Sequence, residues 1–219
     1  MIYNVDCMQF MSQMKNESVD LTLTDIPYDE VNKKKGHNQL RNLDKNKADI
    51  LTFDLDMFCN EVFRVTKGTI IIFCGYKQFS KIFSNFSTRK KCTTRCLIWQ
   101  KSNPSVMNGK HIYLNGVELA VWCKKSNAPF NAYCKNTVFK HPIGSSKLHP
   151  TEKNHKLLKE LILDNSNEND IVFDPCFGSG STLLCAKQLH RQYLGCELDK
   201  QFYDIAYNRL NTLTQLTIT

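Results

Sequence analysis

Long apolar runs are missing from this chain of 219 residues. No stretch approaches the ~18 residues needed to cross a bilayer. Met1–Phe10 contains Asp6 and has no basic flank ahead of an apolar segment, so no signal peptide is expected. The ten cysteines include no C-x-x-C pair. The closest two, Cys92 and Cys96, have no Cys or His partners at zinc spacing. Neither a disulfide framework nor a metal site is expected, and reduced, buried thiols in a cytoplasmic protein are the simpler reading. Internal repeats and low-complexity tracts are absent as well. Acidic residues are scarce in one part only: residues 1–150 hold 22 Lys and Arg against 12 Asp and Glu, whereas residues 151–219 hold 7 against 9. A basic first two thirds suits contact with a polyanion, although a merely basic soluble protein is compatible with the charge alone.

What is present reads as alternating strands and helices. Strands are expected at 19–24, 69–74, 94–100, 116–124, 170–173 and 193–197, with a short edge element at 1–5. Helices are expected at 8–14, 55–65 (capped by Asp54), 76–86, 181–190 and 201–213, and from Thr151 as N-cap to about Asp164. This order predicts an α/β, doubly wound, mostly parallel sheet with one antiparallel strand, covered on both faces, in a single domain over 1–219. The irregular segments are the basic stretch 29–50 and the loop-rich stretches 101–115 and 126–148, on either side of the strand 116–124. Loops of such length in a compact domain are usually functional.

Two motifs carry chemistry. The first is Asp174-Pro175-Cys176-Phe177-Gly178-Ser179-Gly180, a strand running through a Gly-rich turn into a helix. Its glycines allow close approach of a ligand to backbone amides at a helix N-terminus. Glu197 ends the next strand, 23 positions after Asp174, where a carboxylate can hold ribose hydroxyls. The third glycine of a dinucleotide fingerprint is missing. Taken alone, this could be an ordinary strand-to-helix turn. The second motif is Asp25-Ile26-Pro27-Tyr28, at the carboxyl end of a strand, the edge where open α/β sheets bind ligands. A carboxylate and the Ile26 carbonyl can each accept one N–H of a planar amine. That turns its lone pair outward and stabilises positive charge developing on nitrogen. Tyr28 offers a ring face for a base taken out of its stack. A strand-ending turn is the plainer reading of the tetrapeptide by itself.

Together, and in this order, the motifs resemble the amino-methyltransferases of DNA, in particular their β group. His149-Pro150-Thr151-Glu152-Lys153 is similar to the family's H-P-T-x-K segment, and Asp6-Cys7 to its N-terminal G-D-C-type segment. The resemblance covers nearly the whole chain and implies a Rossmann-like fold that binds S-adenosyl-L-methionine. It implies Asp25, Ile26, Pro27 and Tyr28 at the target base. It places Asp6, Cys7, Asp25, Thr151, Lys153, Asp174, Phe177, Gly178, Gly180 and Glu197 at the cofactor, with Thr151 and Lys153 near the methionine carboxylate. For Thr151 a helix N-cap stays open as the other reading. The sequence departs from the family at Ile26, where proline is usual, and at Val5, where glycine is usual.

The implied reaction is methylation of adenine N6 in DNA. Cytosine-N4, RNA or protein-amide methylation, and an inactive DNA-binding relative, stay as alternatives. DNA contacts are expected from Lys33, Lys34, Lys35, His37, Arg41, Lys45 and Lys47. Within 101–148, the expected target-recognition segment, the candidates are Lys101, Asn103, Asn108, Lys110, His111, Asn131, Lys135, Lys140 and Lys147. The same resemblance implies a cytoplasmic, bacterial or phage-encoded protein, with a homodimer plausible.

Overall fold

The computed structural model describes residues 1–28, 51–106, 109–144 and 153–215, with side chains described to 212. In chain order the elements are β1 (Ile2–Asn4), α1 (Cys7–Ser12), β2 (Val19–Asp25), α2 (Leu55–Val65), β3 (Thr66–Cys74), α3 (Tyr76–Ser87), β4 (Cys92–Lys101), β5 (Val117–Lys125), β6 (Val138–His141), α4 (His155–Asn165), β7 (Ile171–Asp174), α5 (Ser181–Gln188), β8 (Gln192–Glu197) and α6 (Lys200–Gln215). The strands form one eight-stranded sheet in the order β1-β8-β7-β2-β3-β5-β4-β6. β5 runs antiparallel to both neighbours, and every other pairing is parallel. The expected mostly parallel sheet with one antiparallel strand is therefore present.

The period-2 alternation of β3 shows how the layers form. Ile70, Ile72 and Cys74 face one way and pack with Phe58, Cys59 and Val62 of α2, Ile82 and Phe86 of α3, and Met11 of α1. Ile71 and Phe73 face the other way, against Leu157, Leu158, Leu161 and Ile162 of α4 and Cys185 and Ala186 of α5. A third apolar group joins α5 to α6 through Leu183, Leu184, Ala206 and Leu210. Because both faces are covered, β3 must be apolar on both sides, and each fully buried Ile contributes about 1.5–3 kcal/mol. No described helix is long and apolar enough to cross a membrane.

The topology has a consequence for binding. From β2 the chain moves outward to β3, and from β7 it moves the opposite way to β8. The switch point lies between the adjacent strands β7 and β2. Crevices that hold ligands form at such points, outside the carboxyl ends of the strands.

Two expectations need correction. Helix α4 begins at His155, and its N-cap is Asn154, whose Oδ1 accepts from Lys156 N at 2.8 Å and Leu157 N at 3.3 Å. Thr151 is not the cap; an Asx side chain directly before the apolar period is at least as good an acceptor. A strand, β6, lies within the stretch expected to be loop around 126–148. Four residues gave too short a pattern to separate it from its flanks.

Replacing Asn154 with alanine removes that cap. The variant is expected to lose about 1 kcal/mol of stability, read as a lower denaturant midpoint with unchanged slope.

Candidate active site

The carboxyl edge of the sheet gathers acidic residues at the ends of β1, β2, β7 and β8. Asp174 ends β7 and Thr24 precedes the last residue of β2. The Thr24 hydroxyl donates to Asp174 Oδ1 at 2.7 Å, and Cys176 N donates to the same oxygen at 3.1 Å. This hydrogen bond joins the Gly-rich turn to the strand that carries the tetrapeptide. Burial pushes the Asp174 carboxyl up to about 7, although the hydrogen bonds from Thr24 and Cys176 pull the other way.

In the turn itself Gly178 has φ +52° and Gly180 φ +81°. A Cβ on Gly178 would meet nothing within 4 Å, so the backbone there faces open space. Gly180 is the N-cap of α5 and packs on Ala206, which a Cβ would approach to 2.8 Å. Phe177 is 5% exposed and packs with Leu183, Leu184, Ala206 and Leu210, so its ring secures the turn to α5 and α6. Glu197 ends β8. Its Oε2 accepts from Gly178 N at 2.9 Å and its Oε1 from Asp199 N at 2.8 Å. Burial raises its carboxyl above the ordinary range, against the pull of those amides. The pairing of β1 with β8 brings Asp6 to the same edge. One Asp6 oxygen caps α1 by accepting from Met8 N and Gln9 N, and Cys7 is buried beside it.

The tetrapeptide follows β2 without a break. Where a proline would lack a donor, Ile26 N donates to Phe73 O at 3.2 Å and extends the ladder between β2 and β3. The Ile26 side chain is buried in the core. Gln78 of α3 clamps the next residue: its Nε2 donates to Pro27 O at 2.8 Å, while Gly75 N donates to its Oε1 at 2.8 Å. Rigidity that a second proline would provide through φ is provided here by hydrogen bonds and packing.

Lys153 provides the main electrostatic feature. It is 8% exposed, and its Nζ lies over the rings of Phe73 (5.2 Å), Tyr28 (5.3 Å) and Trp99 (6.0 Å). The ammonium donates to Asp25 Oδ2 at 2.5 Å and Tyr28 OH at 3.2 Å, and pairs with Glu118 Oε2 at 2.8 Å. Glu118, on β5, also pairs through Oε1 with Lys101 Nζ at 3.0 Å and accepts from Tyr28 OH at 3.3 Å. Charges alternate along Asp25, Lys153, Glu118 and Lys101. Burial alone would lower the Lys153 pKa, but the two carboxylates raise it above the usual lysine value. Burial also pushes Glu118 upward, yet two ammonium groups overcome it and hold the carboxyl at about 2. Asp25 shares one ammonium with a neighbouring carboxylate, so burial prevails and its pKa is raised. About a third of the Asp25 side chain (32%) is accessible, but Oδ1 is buried and makes no hydrogen bond among the described residues.

Sequence reasoning named Asp25, Ile26, Pro27, Tyr28, Lys153, Asp174, Gly178, Gly180 and Glu197, and all lie on this edge. It missed Glu118, Gln78 and Thr24, and gave Lys101 to DNA contact alone. The alternation of Glu118 with apolar neighbours in β5 was the signal for an inward carboxylate. Thr151 and the candidate DNA contacts Lys33, Lys34, Lys35, His37, Arg41, Lys45, Lys47, Asn108 and Lys147 lie outside the described residues. Besides Lys101, three candidates in 101–148 have structural partners. Asn103 Oδ1 accepts from Ile143 N, Asn131 binds Leu163 O and Ser166 O, and Lys135 pairs with Glu160 and Asp164. Asn131 and Lys135 thus sit on the carboxyl-terminal half of α4, away from Asp25. Lys110 and His111 are exposed, on the connection that follows the carboxyl end of β4. No group of three His, Cys, Asp or Glu residues fit to hold a metal occurs among the described residues.

Residues 130–208 match the family described as DNA methylase, the N6/N4 methyltransferases. The Type II methyltransferase M.HinfI of Haemophilus influenzae is 27% identical over 95% of this chain and 67% of its own length. M2.DpnII of Streptococcus pneumoniae is 26% identical, covering 94% and 87%. The crystal structure of the M1.HpyAVI–SAM complex superposes with a TM-score of 0.72 at 26% identity, covering 95% of this chain and 98% of that one. The cytosine-N4-specific PvuII DNA methyltransferase has the same fold, with a TM-score of 0.72 at 16% identity over 95% and 85%.

The buried Asp174 generates a pH prediction. Its folded pKa is about 7, above the ordinary 3.8, so between those values the native state holds the extra proton. Stability from this group is fully present at low pH and falls as pH rises through about 7, by up to about 4 kcal/mol. Asp174→Asn keeps an acceptor for Thr24 and Cys176. Unfolding free energies from pH 4.5 to 8 are expected to show the variant gaining on wild type as pH rises; parallel curves would contradict the assignment.

Proposed function

We propose that this chain, whose residues 130–208 match the N6/N4 DNA methylases, transfers a methyl group from S-adenosyl-L-methionine to the exocyclic N6 of adenine in DNA. The observation that carries the reading is the Asp25 carboxylate at the head of the tetrapeptide: Lys153 holds it through Oδ2, and about a third of its side chain (32%) is accessible.

The residues present fit the cofactor. Gly178 opens onto free space at positive φ, so a ligand can approach the backbone closely there. Glu197 is held by two backbone amides, and each of its oxygens keeps a lone pair for a diol. Asp6 stands on the adjoining strand end with one oxygen uncommitted to the α1 cap. When bound, the sulfonium supplies an electrophilic methyl group, so no strong base is required of the protein. Its own residues act on the amine. The Asp25 carboxylate accepts one N–H, and the Ile26 carbonyl accepts the other. The pair favours a pyramidal nitrogen with its lone pair directed outward, and the carboxylate stabilises the positive charge that develops there. Tyr28 stacks on the base taken out of the duplex. Lys110 and His111, with the lysines and Arg41 of 29–50, contact DNA phosphates. An aspartate at the first tetrapeptide position supports adenine as the base.

The test is methyl transfer from labelled cofactor to unmethylated duplex DNA, with product nucleosides identified by mass. N6-methyladenine is the expected product; N4-methylcytosine would keep the reaction and change the base. Asp25→Ala is expected to lower transfer by about a hundredfold or more while cofactor affinity stays within about twofold. Loss of cofactor binding with transfer otherwise unaffected would overturn the role given to Asp25.

A further inference from the structure

A carboxylate that stabilises a developing cation is weakened when an ammonium group sits on it. Lys153 does sit on Asp25, at 2.5 Å, and is buried among three aromatic rings with little water to screen it. Left as a simple pair, Asp25 and Lys153 would present no net charge to the target nitrogen. The structure contains a second carboxylate at the same ammonium: Glu118, 2.8 Å from Lys153 Nζ and reached by the Tyr28 hydroxyl as well. Glu118 lies on β5, opposite Trp99 of β4 in the register, and does not contact Asp25 directly in any hydrogen bond among the described residues.

We infer that Glu118 is a positioning residue acting through Lys153: by sharing the ammonium with Asp25 it offsets part of the positive charge that Lys153 sets on that carboxylate, so that Asp25 keeps more of its negative charge for the point where the cation forms. The inference rests on the proposed methyl transfer for its purpose, but the charge coupling itself is a property of the protein alone. Lys101 completes the arrangement from the far side by pairing with Glu118 at 3.0 Å. Lys101 ends β4 and Glu118 stands near the start of β5, so the two residues are the stems of the connection 102–116 that carries Lys110 and His111.

Every charged or titratable group facing Asp25 has to be weighed in a test. These are Lys153 ahead of α4, Tyr28 after β2, Glu118 on β5, Cys74 at the end of β3 and Asp174 at the end of β7. Of the negative ones, only Glu118 is bonded to the ammonium that Asp25 uses. The Asp25 carboxyl is raised in part by Glu118, so removing that charge must lower it. Removing Lys101 must do the opposite, because Glu118 and Lys153 are then left with less positive charge around them.

The measurement is the titration of the Asp25 carboxyl carbon by NMR in wild type, Glu118→Gln and Lys101→Met, without substrate. Asp25 is expected to ionise about one pH unit lower in Glu118→Gln and at higher pH than wild type in Lys101→Met. Shifts of opposite sign are not produced by loosened packing. Unmoved titrations, or shifts in the same direction, overturn the inference. If Glu118→Gln does not fold, the direction in Lys101→Met decides alone. In turnover, Glu118→Gln is expected to lower the single-turnover rate about tenfold with cofactor affinity within about twofold, and to move the acid limb of the rate profile downward. A wild-type protein that methylates no DNA, together with the opposite shifts, would sink the proposed reaction and leave the charge coupling standing.

Discussion

A lysine ammonium inside a protein has to be compensated on the spot, and the active edge is organised around that requirement. Lys153 is closed in by Phe73, Trp99 and Tyr28, where an unpaired charge would be costly. The compensation comes from two strands that are far apart in sequence and separated by one strand in the sheet. Asp25 ends β2, Glu118 opens β5, and β3 between them contributes Phe73 to the same cage. Because β5 is antiparallel, its amino end lies at the carboxyl edge of its neighbours. A parallel strand at this position would bring Lys124 and Lys125 to that edge and remove the second carboxylate. The one reversed strand in the sheet is thus what allows Lys153 to be buried on the tetrapeptide.

The second organising contact is smaller. Thr24 and Asp174 are 150 residues apart in the chain and share a 2.7 Å hydrogen bond at the switch point of the sheet. It fixes the Gly-rich turn relative to Asp25, so the turn and the tetrapeptide share one rigid base. The contact also has a cost, since Asp174 is held in a place where its charged form is disfavoured.

Much of this was legible in the sequence, and the limits of legibility have physical causes. Periodicity located nearly every helix and strand, and the Asp54 cap of α2 was placed correctly because an Asx side chain stood directly before a strong apolar period. The same logic erred by three residues at α4, where Thr151 and Asn154 are both good acceptors and only geometry distinguishes them. Local motifs revealed the residues that lie on strand ends in sequence order, namely Asp25, Asp174 and Glu197. They could not reveal Glu118 or Gln78, whose importance comes from pairing across the sheet: Glu118 reads as one polar position in an alternating strand until β5 is known to lie beside β3. Asn131 and Lys135 show the same limit. Their composition suited phosphates, but the path of the chain takes them to the carboxyl-terminal half of α4, where carbonyls and carboxylates occupy them.

The sign of charge at this edge discriminates between cofactor classes that a Gly-rich turn alone leaves open. The chain carries a net +8, yet Asp6, Asp25, Asp174 and Glu197 converge here, and burial raises the last three above their ordinary range. Burial is the first cause of each rise, and nearby positive charge does not overcome it. Lys153, the cation bonded to Asp25, is shared with Glu118, which draws on Lys101 as well. A pyrophosphate brought to such an edge would add negative charge beside groups already short of a counter-ion, and its binding would force some of them to protonate. A sulfonium relieves the same shortage and makes ionisation of its neighbours easier. The missing third glycine and the gathered carboxylates both favour a cationic cofactor over a dinucleotide at this edge.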